Sequence, residues 1–138
     1  MRILVVEDDP LTSMVICDTL VDAGYEVIGP AWSAAVGLEL AQSTRPDLAL
    51  LNINLVGETK GTHLARMLGK LFHTPVLFIS GNFDEAWEAR DAALGYISKP
   101  CLPSTLLKSV EIARGVAAGV VPPEQHLPQG LMLFRLGP

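Results

Sequence analysis

The sequence predicts an α/β fold, a parallel sheet covered by helices on both faces. Three observations carry this. Short apolar runs alternate with stretches of helical periodicity, five times in about 117 residues. The runs are apolar nearly throughout rather than at every second position, which marks strands buried on both faces. Polar and charged residues follow the runs directly, as expected where ligand sites lie beyond the carboxyl ends of parallel strands.

Each element has its own signal. Ile3–Val6 is wholly apolar and ends in acids, so it reads as a central strand. Pro10 to Ala23 carries Leu11, Met14, Val15, Leu20 and Val21 at helical spacing. Asp9 is placed as its N-cap, Pro10 sits in its first turn, and Gly24 ends it. Tyr25–Gly29 is the second strand. Ser33 to Ser43 is helical, with Ala34, Leu38 and Ala41 on one face. Asp47–Leu51 is the third strand, followed by a polar, Gly-containing loop over Asn52 to Gly61. Thr62–Phe72 is helical and Pro75–Ile79 is the fourth strand. Asp84–Leu94 is expected as one helix of small residues, with Ala86, Ala89, Ala92 and Ala93. Gly95–Ile97 is the fifth strand and Pro103–Val116 the last helix. These elements place a domain over residues 1–118. Residues 119–138 are left as a Pro-containing tail, because four prolines between Pro122 and Pro138 bar a long helix. The tail holds a short apolar patch, Leu131–Leu136, expected as a flexible tail or one docked on its own domain, with a contact to a partner or second protomer as the other reading.

Composition narrows the function classes. A hydrophobic content of 49% in 138 residues excludes a disordered chain and allows one real core. Ten basic and fifteen acidic residues give a net charge of −5, and the basic ones form no stripe or cluster. Direct nucleic-acid binding is therefore not expected. No segment reaches the roughly 18 apolar residues that span a bilayer, and MRILVVEDD is no signal peptide. No membrane contact and a cytoplasmic location are expected. Cys17 and Cys101 lack metal-ligand spacing and read as free thiols. His63, His73 and His126 are too dispersed for a metal site, and Trp32 and Trp87 read as packing residues.

The chemistry gathers at the strand ends. The first strand delivers Glu7 and Asp8, the third Asn52 and Asn54, the fourth Ser80, and the fifth Lys99 and Pro100. Adjacent carboxylates repel unless a cation compensates. A hard divalent ion with oxygen ligands, such as Mg²⁺, is the natural compensator. Acids, a hydroxyl and a lysine together suit phosphoryl transfer, with the lysine neutralising phosphoryl oxygens and the hydroxyl bonding one.

ILVVEDD, PDLALLNINL, TPVLFISG and GYISKP stand in the order and approximate spacing of the response-regulator receiver family of two-component signalling. The chain resembles that family over residues 2–117, about five-sixths of its length. The resemblance implies a flavodoxin-like (βα)5 three-layer sandwich with a five-stranded parallel sheet of order 2-1-3-4-5. Glu7 and Asp8 look like the acid pair holding Mg²⁺, and Asn54 like the residue whose backbone carbonyl completes the metal shell. Ser80 and Lys99 resemble the catalytic pair facing the phosphoryl group. Ser80 also looks like a switch hydroxyl and Tyr96 like the aromatic that moves with it, and Lys99–Pro100 is typically a cis bond. The Ser80–Gly81 step resembles a stand-alone subgroup with a Phe-Ala-Thr-Gly-type fourth strand, which tends to have a mobile fourth helix.

One residue departs from the pattern. Asn52 stands at the phosphoacceptor and metal position, where the motif expects Asp. An amide has no anionic oxygen to attack phosphorus, so phosphorylation there should be lost. The metal site loses one of three negative charges, so Mg²⁺ should be held less tightly. Neutral Asn52 gives Lys99 and Ser80 no new attractor, which implies a resting arrangement with Ser80 and Tyr96 not drawn inward. The chain is thus expected to be a non-enzymatic phosphorelay signalling protein acting through protein contacts. A sensor histidine kinase or phosphotransfer protein and a downstream protein target are its implied partners. Homodimerisation would use the face of the fourth helix, fifth strand and fifth helix. Three other readings stay open at this point. One is an ordinary phosphoaccepting receiver with an introduced Asp-to-Asn change. Another is the receiver half of a longer regulator. The third is a flavin- or nucleotide-binding protein of similar topology, although Glu-Asp-Asp-Pro after the first strand would repel a phosphate. A small phosphohydrolase would need the missing Asp.

Overall fold

A computed structural model describes residues 1–123 and 126–134. The elements in chain order are β1 (Arg2–Val6), α1 (Pro10–Asp22), β2 (Glu26–Ala31), α2 (Ala34–Thr44), β3 (Leu48–Leu51), α3 (Gly61–Phe72) and β4 (Val76–Ser80). They continue with α4 (Phe83–Glu88), a 3₁₀ turn (Arg90–Ala92), β5 (Gly95–Ser98), α5 (Pro103–Ala117) and β6 (Leu131–Leu133). The sheet order is β2-β1-β3-β4-β5-β6. The first five strands are parallel, in the expected order 2-1-3-4-5. β6 is an addition that the sequence reading left without structure. It runs antiparallel to β5, pairing Leu131 with Ile97 and Leu133 with Gly95. Residues 135 and 136 of the expected apolar patch lie outside the described residues.

The apolar strands divide their side chains between two layers, as strand pleating requires. Leu4, Val6, Ala49, Leu51 and Phe78 face α2, α3 and α4 and meet Ala34, Leu64, Leu68 and Ala86. Ile3, Val5, Leu50, Leu77 and Ile97 face α1 and α5 and meet Ile16, Leu20, Leu106 and Val110. Both faces are covered, which explains runs with no polar alternation. Burying one such Leu or Ile side chain contributes about 1.5–3 kcal/mol.

Helix starts follow their caps. Asp9 caps α1, accepting from the Thr12 N–H at 2.9 Å and from the Thr12 hydroxyl. Those two bonds, side-chain first, hold the Asp9 carboxyl below its ordinary range. Ser33 caps α2 through the Val36 N–H, and Asn82 caps α4 through the Glu85 N–H at 3.1 Å.

The expected helix over Asp84–Leu94 is instead α4, a break at Ala89 and a 3₁₀ turn. The reason is geometric. Leu94 already donates its N–H to the Val76 carbonyl at 2.8 Å, at the start of β5. A helix continued to Leu94 leaves no residue to turn the chain into the sheet. The break also buries both Ala89 and Ala93 on the core, and Arg66 of α3 fastens the turn through Asp91 at 2.6 Å.

Candidate functional site at the carboxyl ends of the strands

β1 ends at Val6 and presents Glu7 and Asp8. The Glu7 N–H donates to the Ala31 carbonyl of β2 at 2.9 Å, and the Asn52 N–H donates to the Val6 carbonyl at 2.9 Å. The end of β1 is thus tied to β2 on one side and to the residue after β3 on the other. Lys99 follows β5, and its N–H donates to the Ser80 carbonyl of β4 at 3.0 Å. The Lys99–Pro100 peptide is cis, as the resemblance implied, and Gly29–Pro30 is also cis.

Five of the expected residues form one hydrogen-bonded cluster. The Lys99 Nζ donates to Glu7 Oε1 at 2.7 Å and more weakly to Asn52 Oδ1 at 3.4 Å. The two Asn52 Nδ2 hydrogens are shared among three acceptors, Glu7 Oε2 at 3.1 Å, Asp8 Oδ1 at 3.2 Å and the Asn54 carbonyl at 3.0 Å. The Asp9 N–H adds a bond to Glu7 Oε2 at 3.1 Å. Glu7 is only 1% exposed. Its carboxylate is tolerated there because both oxygens are engaged, one by a cation and one by two N–H donors.

The orientation of the Asn52 amide follows from its neighbours. Three acceptors face its nitrogen and one cationic donor faces its oxygen. A flipped amide would set oxygen against two carboxylates and nitrogen against an ammonium.

The remaining expected residues stand apart from this cluster. Ser80 is buried, and its hydroxyl accepts the Asn82 N–H at 3.0 Å, so it serves its own turn. Tyr96 is 6% exposed, packed edge-on to Phe83 with centroids 6.0 Å apart. Burial pushes its hydroxyl pKa up. Ser80 is thus bonded within its own turn, while Tyr96 lies inside the core layer.

Sequence reasoning missed Gly61. Its N–H donates to the Ile53 carbonyl at 2.8 Å, and a Cβ there would fall 2.0 Å from the Asn52 carbonyl oxygen. The first turn of α3 can press against the loop that carries Asn52 only if residue 61 has no side chain. A Gly at the loop-to-helix junction was the available signal.

The donor set does not suit a divalent ion. Among the described residues, no three His, Cys, Asp or Glu side chains are grouped to hold one. The three groups that the resemblance assigned to the ion through Glu7, Asp8 and the Asn54 carbonyl all accept from the Asn52 amide nitrogen. A cation needs acceptors pointing inward, and the amide presents hydrogens there instead. With Lys99 paired to Glu7, the cluster's two acids and one lysine leave a single net negative charge.

A cavity of about 460 Å³ adjoins the cluster, lined by Leu11, Val15 and Ile16 of α1 and by Ile79, Pro100 and Cys101. Burial pushes the Cys101 thiol up to about 11. On the solvent side α1 exposes Leu11, Met14 and Val15, and Leu102 is exposed nearby in sequence. No helix among the described residues is long and apolar enough to cross a membrane.

Comparison with known proteins agrees with this fold. Residues 3–111 match the response regulator receiver domain family. Protein PilH of Pseudomonas aeruginosa is 31% identical over 115 residues, covering 79% of this chain and 93% of that protein. Transcriptional regulatory protein PdtaR of Mycobacterium tuberculosis is 30% identical over 115 residues, covering 81% of this chain and 56% of its own length. The chain therefore spans little more than half of that relative. A CheY-like receiver domain protein from Methanospirillum hungatei superposes with a TM-score of 0.78 at 29% identity, over 85% of this chain and 95% of that one. Receiver domains are generally non-enzymatic modules of two-component signalling and generally bind Mg²⁺ at the acidic site. The matched span takes in the Glu7, Asp8, Asn52, Ser80 and Lys99 positions, and the chain belongs to the response regulator receiver domain family.

Proposed function

We propose that this chain is a receiver that signals by protein contact and accepts no phosphoryl group at residue 52. The observation that carries this is the Asn52 amide. It occupies the acceptor position with a neutral group, and its nitrogen is committed to Glu7, Asp8 and Asn54. Acyl-phosphate formation needs a carboxylate oxygen as nucleophile, and no such oxygen is present at this residue.

Contact surfaces support the second half of the reading. Leu11 is 67% exposed and Met14 53%, on the helix beside the acidic cluster. Apolar side chains grouped at the rim of a groove mark protein contact sites more often than solvated surface. A sensor kinase or phosphotransfer protein fits this strip, and a downstream protein would read the domain in a cytoplasmic setting. Mg²⁺ plays no part in the resting site as proposed.

Intact mass after treatment with acetyl phosphate and Mg²⁺ tests the reading. The chain should gain no mass, and an Asn52→Asp variant should gain one phosphoryl group. A phosphoryl adduct that fragment masses place at residue 52 of the parent chain, or no adduct on Asn52→Asp, would overturn the reading.

A further inference from the structure

After α5 the chain returns to the sheet and lays Leu131–Leu133 along β5. We infer that the outer edge of β5 is a strand-accepting site whose occupant is residues 130–134 of this chain, and that this occupant holds α4 and Tyr96 in their present packing. The inference goes beyond the proposed function and does not depend on Asn52.

Main-chain bonds close both ends of the pairing. The Ser98 N–H donates to the Gly130 carbonyl at 2.9 Å, and the Phe134 N–H donates to the Leu94 carbonyl at 2.9 Å. Side chains then grip both faces of the sheet, as alternation along a strand dictates. Leu131 and Leu133 join the layer of Ile97, Leu106 and Val110. Phe134 joins the opposite layer, which contains Tyr96.

The aromatic contacts on that layer form a continuous series. Phe134 meets Trp87 edge-on at 6.0 Å, Trp87 stacks on Phe83 at 5.9 Å, and Phe83 meets Tyr96 at 6.0 Å. Tyr96 is itself paired with Met132 in the sheet register. The strand therefore reaches Tyr96 by two routes, through the backbone ladder and through α4. This explains why Tyr96 is buried although Ser80 is turned to its own loop.

Gly95 shows that the site is shaped for a strand. A Cβ there would lie 2.5 Å from the Met132 carbonyl oxygen and 3.3 Å from the Leu133 Cα. A bare edge would admit any residue at 95, whereas a paired one at this distance admits only glycine. Edge strands offer unpaired N–H and C=O groups that other segments can join, and pockets at alternate positions select the joining side chains.

The test uses the full chain with Trp32→Phe, so that Trp87 is the sole emitter. Gly95→Ala should expel the strand, and Gly69→Ala, which places its Cβ in open space, is the control. Hydrogen exchange at the Ser98 and Phe134 amides should accelerate at least about tenfold in Gly95→Ala, and acrylamide quenching of Trp87, already 44% exposed, should rise further as its Phe134 contact is lost. The Leu94 amide, bonded to Val76, should stay protected. A Leu131→Ser/Phe134→Ala variant weakens the strand without adding atoms to β5. A synthetic peptide of residues 128–138 should restore its Ser98 protection and Trp87 shielding. Unchanged Ser98 exchange in both variants would overturn the inference, as would failure of the peptide to restore either signal. A dimer in the parent chain that dissociates on dilution together with Ser98 protection would assign the strand to a second copy, and also overturn it.

Discussion

Replacing Asn52 by Asp probes the cluster most directly, because the two side chains have nearly one shape. The change turns the Nδ2 donor into an oxygen facing Glu7 Oε2 at 3.1 Å and Asp8 Oδ1 at 3.2 Å. Two bonds to charged acceptors are lost, each worth about 1.5 kcal/mol or more. Two like-charge contacts appear and one attraction to Lys99 is gained, so one repulsion remains uncompensated. At an effective dielectric of about 20 that repulsion is at most about 5 kcal/mol at this separation, and well below that here because Asp8 is partly exposed and can turn away. Without divalent ions Asn52→Asp should therefore destabilise the fold by about 3–5 kcal/mol. At this chain length that lowers the melting temperature by about 10–20 °C. Mg²⁺ should recover part of the loss in the variant, about 2.7 kcal/mol at a hundredfold excess over its dissociation constant. The parent should not respond to Mg²⁺. The assay is thermal melting of both proteins in EDTA and in millimolar Mg²⁺. A variant that melts within about 2 °C of the parent in EDTA would refute the reasoning, as would an equal Mg²⁺ response in both.

Three other outcomes follow from the same packing. Lys99→Met strands the buried Glu7 carboxylate and should cost about 3 kcal/mol, the low end for a broken buried pair because the Lys99 side chain is 26% exposed; in urea melts, the Lys99→Met/Glu7→Gln double variant should be more stable than Lys99→Met alone. Gly61→Ala forces the α3 turn off the Asn52 carbonyl and should cost about 1–3 kcal/mol, with chemical-shift changes centred on Asn52 and Ile53 rather than spread over the sheet. Cys101 is raised from 9.0 to about 11 by burial, so its thiol form is favoured by folding. That contribution is complete below pH 9.0 and is lost as pH rises towards about 11. The parent's melting temperature should therefore fall more steeply over that window than that of Cys101→Ala, and parallel curves would count against it.

The parallel sheet was legible because apolar runs buried on both faces leave no polar alternation to confuse strand with surface. Asp9 before Pro10 marked the start of α1 through a cap whose chemistry is local. What could not be read depended on long-range partners. Leu131–Leu133 has too few residues to show a period, and only the edge of β5 makes it a strand. The break at Ala89 was hidden because alanine favours helix, while the Leu94–Val76 bond across the sheet required a turn. At the site, residue types placed Glu7, Asp8, Asn52 and Lys99 together. They could not show that the Asn52 nitrogen, rather than its oxygen, faces the acids, since that choice depends on where four other groups stand.

The same amide has a consequence for switching. A two-state domain moves only when something binds one state better than the other, and shifting a 1:99 population to 99:1 takes about 5.5 kcal/mol of differential affinity. In a phosphorylated receiver the new charge on the acceptor can supply that difference through the lysine. Here Lys99 is already satisfied by Glu7 at 2.7 Å, and Asn52 offers it a neutral oxygen at 3.4 Å. Under the proposed function the differential must come from surfaces a partner touches, and the exposed Leu11, Met14 and Val15 strip is the apolar area beside the cluster. Burying about 100 Å² of that strip contributes about 2.5 kcal/mol. Meeting the full difference of about 5.5 kcal/mol would take about 220 Å² of apolar surface covered in one state only, so a partner must cover roughly twice that 100 Å² of the domain in a state-dependent way.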